Sequence, residues 1–239
     1  KISWSEHPAR LTLINLAHVY RKIKLYKKAK NLYLRVLSID KKALGHENLY
    51  TAGTLNNLAG LYYEQRLFSK AEQLYLRALS IDEKVLGSEH PYTAISRNNL
   101  ALLYFDQILY SKAEPLLLRN LSIQEKKPES EHSDIAGTLN NLAKLYIEQG
   151  LYNKAEPLLL KALSIDEKIS GSEHPDTASS LNSLALLYNS QGLYSKAEPL
   201  LLRALSIDEK VLGPEHPNTA GTLNLLADIY FEQGLYSKA

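Results

Sequence analysis

Apolar residues recur along this chain at helical spacings, in blocks that repeat every 42 positions. Within residues 174–215, intervals of three and four place one set of apolar residues on a single helical face: Leu181, Leu184, Ala185 and Tyr188. A second apolar run, 200–207, forms the broad buried face of another helix. Gly192 separates the two runs and Gly213 follows the second, as glycines do at helix ends. Each block therefore predicts two helices joined by short turns.

Two polar features of the second helix carry further predictions. Ser195 and Glu198 have the spacing of a capping box, which predicts that this helix begins at Ser195. Asp166 and Asp208 recur near the ends of second helices beside other charged residues. We expect these carboxylates to lie on a solvated face.

The 42-residue period extends over the whole chain. It is marked by two series of residues: Tyr20, Tyr62, Tyr104, Tyr146, Tyr188 and Tyr230, and Ala29, Ala71, Ala113, Ala155, Ala197 and Ala239. A period of this length indicates a repeat array, in which each unit buries its apolar faces against its neighbours. We predict one all-α array over residues 1–239, with repeats at 1–48, 49–90, 91–132, 133–174, 175–216 and 217–239.

The same pattern predicts eleven helices. Their expected ranges are 9–23, 27–42, 50–65, 69–84, 92–107, 111–126, 134–149, 153–168, 176–191, 195–210 and 218–233. The small Ala59 and Ala71 should let paired helices approach closely, while Tyr62 and Tyr75 fill the space between pairs.

Composition narrows the function classes. The net charge is +2 with both signs interleaved, so the chain has no basic patch typical of nucleic-acid binding. It has no cysteine for disulfides or thiolate zinc sites, and no apolar run long enough for a membrane span. We find no nucleophile elbow, phosphate-binding glycine loop or zinc-protease motif. We therefore expect a cytoplasmic protein that is not an enzyme and has no cofactor.

The repeats resemble the tetratricopeptide repeat (TPR) family. Its pattern of large, small and aromatic positions is matched by Leu55, Leu58, Ala59, Tyr62, Ala71, Tyr75 and Ala78. The usual TPR period is about 34 residues. The longer period here, with Leu-Asn-Asn-Leu-Ala at 55–59 and Ala-Glu-Pro-Leu-Leu at 197–201, is similar to the kinesin light chain type. The resemblance implies a right-handed superhelical solenoid of antiparallel helix pairs, in which the first helices line a concave groove.

Asparagine recurs in the first helices although it is a mediocre helix former. One series contains Asn56, Asn98, Asn140, Asn182 and Asn224; the other contains Asn15, Asn57, Asn99 and Asn141. A side-chain amide both donates and accepts, which suits the backbone of an extended peptide. We predict a peptide-binding groove lined by both series and by Lys144. The alternative is that one asparagine per pair ties adjacent helices together through buried hydrogen bonds.

Other side chains one or two turns further along should reach the same groove, among them His18, Arg21 and Lys22, with Glu64 near its edge. Arg97 replaces a leucine of the other copies, and is either a groove contact or a side chain whose stem is buried at the helix edge.

The histidine series, His90, His132, His174 and His216, occurs once per repeat, which is unlike a converging metal site. We expect these histidines to pack in the connection before each first helix.

The chain therefore resembles a protein-interaction module, a scaffold or adaptor that binds a protein or peptide in its groove and neither nucleic acid nor membrane. Two alternatives remain at this point: a structural spacer that self-associates end to end, and a sensor arm of a larger signalling protein.

Overall fold

The computed structural model describes residues 8–126 and 133–235. Within these ranges the chain forms eleven α-helices and no strand. They are α1 (Pro8–Lys22), α2 (Tyr26–Leu44), α3 (Leu49–Glu64), α4 (Phe68–Leu86), α5 (Pro91–Asp106), α6 (Tyr110–Gln124), α7 (Ser133–Glu148), α8 (Tyr152–Ile169), α9 (Pro175–Ser190), α10 (Tyr194–Val211) and α11 (Pro217–Glu232). Each end lies within about two residues of the range expected from the apolar pattern, which is the usual uncertainty of helix ends.

The Cα positions group into two compact units, residues 1–116 and 117–239. In the first unit α1 packs on α2, α2 on α3, α3 on α4, and α4 on α5. In the second unit the same order runs from α7 to α11. Odd-numbered helices are called first helices below, and even-numbered ones second helices. The second helices α2, α4, α8 and α10 are thus each packed between two first helices of their own unit.

The core of each unit consists of small residues and leucines that meet between helices. In the first unit Ala17, Ala29 and Ala52 are buried with Leu58 and Leu61. In the second unit Ala185 and Ala197 are buried with Leu201, Leu226 and Ile229. Ala59 and Ala71, the two alanines expected between paired helices, are also fully buried. The close approach of those helices stays a prediction. Tyr62 and Tyr188 pack against these clusters while keeping part of the ring exposed.

The second helices begin one residue earlier than the capping box predicts. The N-cap of α10 is Leu193, which makes no side-chain cap hydrogen bond, and Ser195 already lies inside the helix. The capping-box prediction is therefore wrong. The chain before α10 turns at Gly192, whose φ of +71° lies in the left-handed region.

Three of the first helices, α5, α9 and α11, are in contrast capped by histidine, whereas the N-cap of α3 is Asn48. The Nδ1 atoms of His90, His174 and His216 each accept a hydrogen bond from the backbone N–H two residues later. The next residue in each case is proline at the first helical position, where its missing N–H costs nothing. This is the connection role expected for the series, apart from His132, which lies outside the described residues.

Candidate functional site

The first asparagine series joins neighbouring repeats. Asn56 Nδ2 donates to Ser96 Oγ at 2.6 Å, and the Ser96 hydroxyl donates to Asp82 Oδ2. The same connection appears in the second unit, where Asn140 donates to Ser180 and Ser180 to Asp166. It appears again from Asn182 through Thr222 to Asp208. These three amides thus have the tying role that the sequence left as an alternative.

The carboxylates in this network are buried, which corrects the expectation of a solvated face. Asp166 is 6% exposed and Asp208 1% exposed. Burial raises the pKa of Asp82 and of Asp166, and the hydrogen bond from the serine hydroxyl opposes that rise. A buried carboxylate needs such a donor, because desolvation of an unpaired charge is expensive.

Sequence reasoning missed this network, although a signal for it was present. A serine or threonine stands 14 positions after each of these aspartates: Asp40 and Thr54, Asp82 and Ser96, Asp166 and Ser180, Asp208 and Thr222. This constant interval of 14 positions fits a pairing between the end of one second helix and the next first helix.

The second asparagine series is placed differently. Asn57 and Asn99 are half-buried, and their side chains make no hydrogen bond within the described part of the chain. Asn15 is exposed on α1. The two asparagine series differ because consecutive helical residues point about 100° apart. In α3, Asn56 therefore bonds the next repeat while Asn57 lines open space.

Asn57 and Asn99 line a groove in the first unit. Its walls come from first helices α1, α3 and α5, with Tyr75 and Asp82 from α4. It has a volume of about 690 Å³ and is lined by Arg10, Ile14, Arg21, Asn48, Leu49, Tyr50, Gly53, Asn56, Asn57, Gly60, Tyr75, Asp82, Tyr92, Ile95 and Asn99. We call it the first-helix groove. Its size is within the range of ligand pockets, roughly 300–1,000 Å³.

A smaller cavity of about 420 Å³ shares Arg21 and Asn57 with the first-helix groove. Its other lining residues are those that the sequence placed near the groove: His18, Lys22 and Glu64.

The two arginines of the first-helix groove are both paired with carboxylates. Arg10 Nε donates to the buried Asp40 at 2.7 Å, and its guanidinium lies 4.7 Å from the centre of the Tyr50 ring. Arg21 contacts Glu64 at 2.7 Å beside Gly60, where a Cβ would approach the guanidinium to 3.2 Å. The positive charge of each arginine is therefore offset by its carboxylate partner, and the arginines contribute mainly to the shape of the groove.

Gly53 forms part of the groove lining within α3. A Cβ added there would meet nothing within 4 Å. Glycine in a helix interior costs roughly 0.5–1 kcal/mol relative to alanine, and no neighbour in the described structure requires it. Gly137 and Gly221 occupy the same repeat position in the second unit and are equally open.

The remaining predicted site residues lie on the expected helices. Asn98 is half-buried on α5 and Asn141 half-buried on α7, while Lys144 and Asn224 are exposed on α7 and α11. Arg97 is only 1% exposed and reaches Glu83 Oε1 at 3.1 Å. Its guanidinium is therefore buried together with its stem, and neither expected placement, a groove contact or a charged head in water, describes it.

In residues 8–126 and 133–235, no group of three or more His, Asp or Glu side chains could hold a metal ion. None of the helices in those ranges has the length and hydropathy needed to cross a membrane.

Comparison with known proteins supplies the family. The tetratricopeptide repeat model matches residues 9–84, 50–126, 134–210 and 184–239. The chain belongs to the tetratricopeptide repeat family. The predicted all-α TPR solenoid of helix pairs is thereby confirmed.

Solved TPR structures support the same conclusion. The chain is 30% identical to a Podosopora anserina kinesin light chain with nearly identical TPR-like repeats, at a TM-score of 0.73, covering 86% of this chain and 98% of that one. It is 26% identical to BtubC (BKLC) from P. vanneervenii, at a TM-score of 0.71, covering 84% and 80%. The predicted similarity to the kinesin light chain type is confirmed.

A more distant TPR neighbour shares only the fold. It is a Rap protein complexed with Competence and Sporulation Factor, 17% identical at a TM-score of 0.68, covering 97% of this chain and 72% of that one. No curated protein matches the chain. The TPR fold supports a role as a protein-interaction module, without indicating a particular partner.

Proposed function

We propose that this TPR chain is a scaffold or adaptor module that binds an extended peptide segment of a partner protein in the first-helix groove. The observation that carries the proposal is the contrast between the two asparagine series. In the first series, the amide groups of Asn56, Asn140 and Asn182 donate hydrogen bonds to the next repeat. In the second series, the amide groups of Asn57 and Asn99 instead line the groove. A side-chain amide offers both a donor and an acceptor, as the backbone of an extended peptide requires.

The presence of Gly53 in the groove lining favours the close approach of a peptide backbone to α3. An interior helical glycine is used where another backbone or a ligand comes close. Gly53 has open space above it on the same helix as Asn57, one turn earlier. A peptide could therefore lie against α3 at Gly53 and donate to or accept from Asn57.

The groove also offers apolar contacts for peptide side chains. Tyr92 and Ile95 on α5 are both more than half exposed while lining the groove. Because Arg10 and Arg21 already pair with carboxylates of the chain, we expect apolar ligand side chains to contribute more to affinity than acidic ones.

A library selection tests this proposal. Peptides would be selected from a phage-displayed random library on the whole chain, and the affinity of the best peptide measured by calorimetry. The double variant Asn57→Ala/Asn99→Ala should lose about tenfold or more in affinity, equivalent to one or two hydrogen bonds at about 1 kcal/mol each. Its thermal stability should be unchanged or slightly higher, because alanine is the better helix former.

The matched control is Asn182→Ala, whose amide bonds Thr222 in the second unit. This variant should lose stability and keep its affinity for the selected peptide. Equal affinity of the wild type and the double variant would refute the groove assignment.

A further inference from the structure

The turns between paired helices of the first unit carry side chains where the second unit has glycine. Lys24, Arg66 and Ile108 have φ values of +60°, +57° and +61°, in the left-handed region. Steps of 42 residues lead from them to Gly150 and Gly192, which have the same conformation. Glycine adopts it freely, whereas a residue with a Cβ is strained. Strained residues cluster at functional sites, so we examined the surface formed by these three side chains, which we call the turn edge.

The three turns lie side by side within the first unit. The helix end before the first turn contacts the helix end before the second, because Arg21 pairs with Glu64 at 2.7 Å. The second turn is joined to the third in a similar way, because the Tyr63 hydroxyl donates to Asp106. The position that defines the turn edge is exposed in all six repeats, in both units. Its exposure is therefore a property of the repeat itself.

The first two turns of the edge are basic. Lys24 and Arg66 are exposed, and neither has a carboxylate partner among the described residues. The carboxylates near these turns, Glu64 and Asp106, are already engaged in the two contacts above. The Arg66 guanidinium instead lies over the Phe68 ring, 5.1 Å from its centre. Two positive charges are thus available to acidic groups of a partner.

The third turn of the edge is apolar. Ile108 is 72% exposed, the highest value for a large apolar residue in the described chain. The adjacent Leu109 is 37% exposed, and the Phe105 and Tyr110 rings of the same turn lie 5.7 Å apart. A β-branched residue is the least suited to a left-handed backbone. An isoleucine that is both strained and exposed favours contact with an apolar group of a partner.

We propose that the turn edge binds an extended acidic segment of a partner protein. Two carboxylates of the segment pair with Lys24 and Arg66, and an apolar side chain packs on Ile108. The charges of the two surfaces are complementary, as is typical of specific interfaces. This surface is separate from the first-helix groove and from the smaller cavity beside it, since none of the three residues lines either one.

The spacing of the turns predicts the register of the segment. Packed helices lie about 8–10 Å apart, so successive turns should offer contacts at about that interval. A polyproline II segment has three residues per turn and rises about 3.1 Å per residue, which places every third side chain on one face about 9 Å apart. The preferred segment therefore has acidic residues at its first and fourth positions and an apolar residue at its seventh, in either chain direction.

Two synthetic peptides test the proposal: Glu-Pro-Pro-Glu-Pro-Pro-Leu and the same sequence reversed. Each is added to the isotope-labelled whole chain, and the affinity is measured by two-dimensional NMR of the backbone amides. The signals of residues 24, 66 and 108 should shift and saturate together with one of the peptides. The affinity should fall as salt is added, because exposed charges are screened. Glutamine in place of both glutamates should weaken binding about tenfold.

The triple variant Lys24→Gly/Arg66→Gly/Ile108→Gly removes all three side chains and should stay folded, because glycine suits the backbone there. It should bind the preferred peptide about tenfold or more weakly. The control Lys42→Gln/Arg77→Gln removes the same charge from exposed positions of α2 and α4 and should bind like the wild type. Equal affinity of the triple variant and the wild type overturns the proposal, as does the absence of saturable binding by both peptides.

Two further results decide between the turn edge and its rivals. Asn57→Ala/Asn99→Ala should leave the affinity for these peptides unchanged, and a loss would place them in the first-helix groove and overturn the proposal. An anionic membrane surface is the rival occupant. Binding to phosphatidylserine vesicles that the triple variant loses, without binding of either peptide, would overturn the proposal in favour of a lipid surface.

Discussion

At the scale of single residues, the structure depends on hydroxyls that connect buried amides to buried carboxylates. Ser180 illustrates the arrangement: it accepts from Asn140 on one first helix and donates to Asp166 on the second helix between them. Neither the amide nor the carboxylate would be tolerated there alone, since an unpaired buried polar group costs about 1–3 kcal/mol. The hydroxyl therefore sets the register of successive helices as well as adding stability.

The raised pKa of Asp166 predicts a particular pH dependence. Burial raises this pKa most, and Asp176 adds to the rise, while Ser180 and His174 lower it. The folded chain then holds the proton more tightly than the unfolded chain, whose ordinary value is 3.8. The free energy of unfolding contributed by Asp166 should therefore fall as pH rises from below 3.8 through the folded-state pKa, and stay level above it.

Asp166→Asn isolates this effect, because its amide oxygen can still accept from Ser180 and does not titrate. Urea unfolding of the wild type and the variant across the acidic range gives the difference in their free energies. We expect wild-type stability relative to the variant to decrease with rising pH. An increase would show that the ionised carboxylate is the favoured form in the folded chain.

Tyr146 provides a test of the tyrosine series. It is 7% exposed, and truncating a large buried aromatic to alanine typically costs about 3–5 kcal/mol. Tyr146→Ala should therefore lower the free energy of unfolding by about that amount in urea titration. Tyr92→Ala, at an exposed ring, should change it by less than about 0.5 kcal/mol, and a similar effect of both variants would count against the packing described.

At the scale of elements, the turns between paired helices contain a position with a left-handed backbone conformation, and the residues at that position are not equally suited to it. Gly150, Gly192 and Gly234 occupy the left-handed position in the second unit. In the first unit the equivalent residues are Lys24, Arg66 and Ile108, all with φ near +60°. A left-handed conformation costs a residue with a Cβ roughly 1–2 kcal/mol, and a β-branched side chain is the least suited to it.

Ile108→Gly should therefore stabilise the chain by about 1 kcal/mol, since Ile108 is exposed and loses little packing. Thermal or urea unfolding gives the measurement. Gly150→Ile, the reciprocal change, should destabilise by a similar amount. Loss of stability in Ile108→Gly would mean that the isoleucine makes a contact worth more than its strain.

Replacing Gly53 should change both the stability of α3 and the affinity of the first-helix groove for a peptide. Gly53→Ala should stabilise α3 by about 0.5–1 kcal/mol, because the new methyl group meets nothing. If a ligand backbone approaches α3 there, the same change should weaken binding of the selected peptide. Gly221→Ala on α11 is the control, with a similar gain in stability and unchanged affinity. Equal affinity of Gly53→Ala and the wild type would remove the argument from close approach.

At the scale of the whole chain, the apolar pattern and its 42-residue period were sufficient to predict the helices and their order. These features follow from apolar spacing and turn residues, which are local, whereas the family was predicted from a resemblance to the tetratricopeptide repeat pattern. The function of each asparagine was not predictable in the same way, because Asn56 and Asn57 are neighbours on a helix and only packing decides which one meets the next repeat. The buried Asp208 was misjudged for a related reason: its charged neighbours at 209 and 210 are exposed, and the contact that buries it comes from Thr222 on another helix.

We propose that Asn57 and Asn99 present to a peptide amides that have no hydrogen-bond partner among the described residues. Two-dimensional NMR of the side-chain amide groups, recorded while a library-selected peptide is added, tests it most directly. We predict that the signals of Asn57 and Asn99 shift with the peptide and saturate together, while those of Asn140 and Asn182 stay in place. Shifts confined to asparagines outside the first-helix groove, or saturable binding with no change at Asn57 and Asn99, would contradict the account.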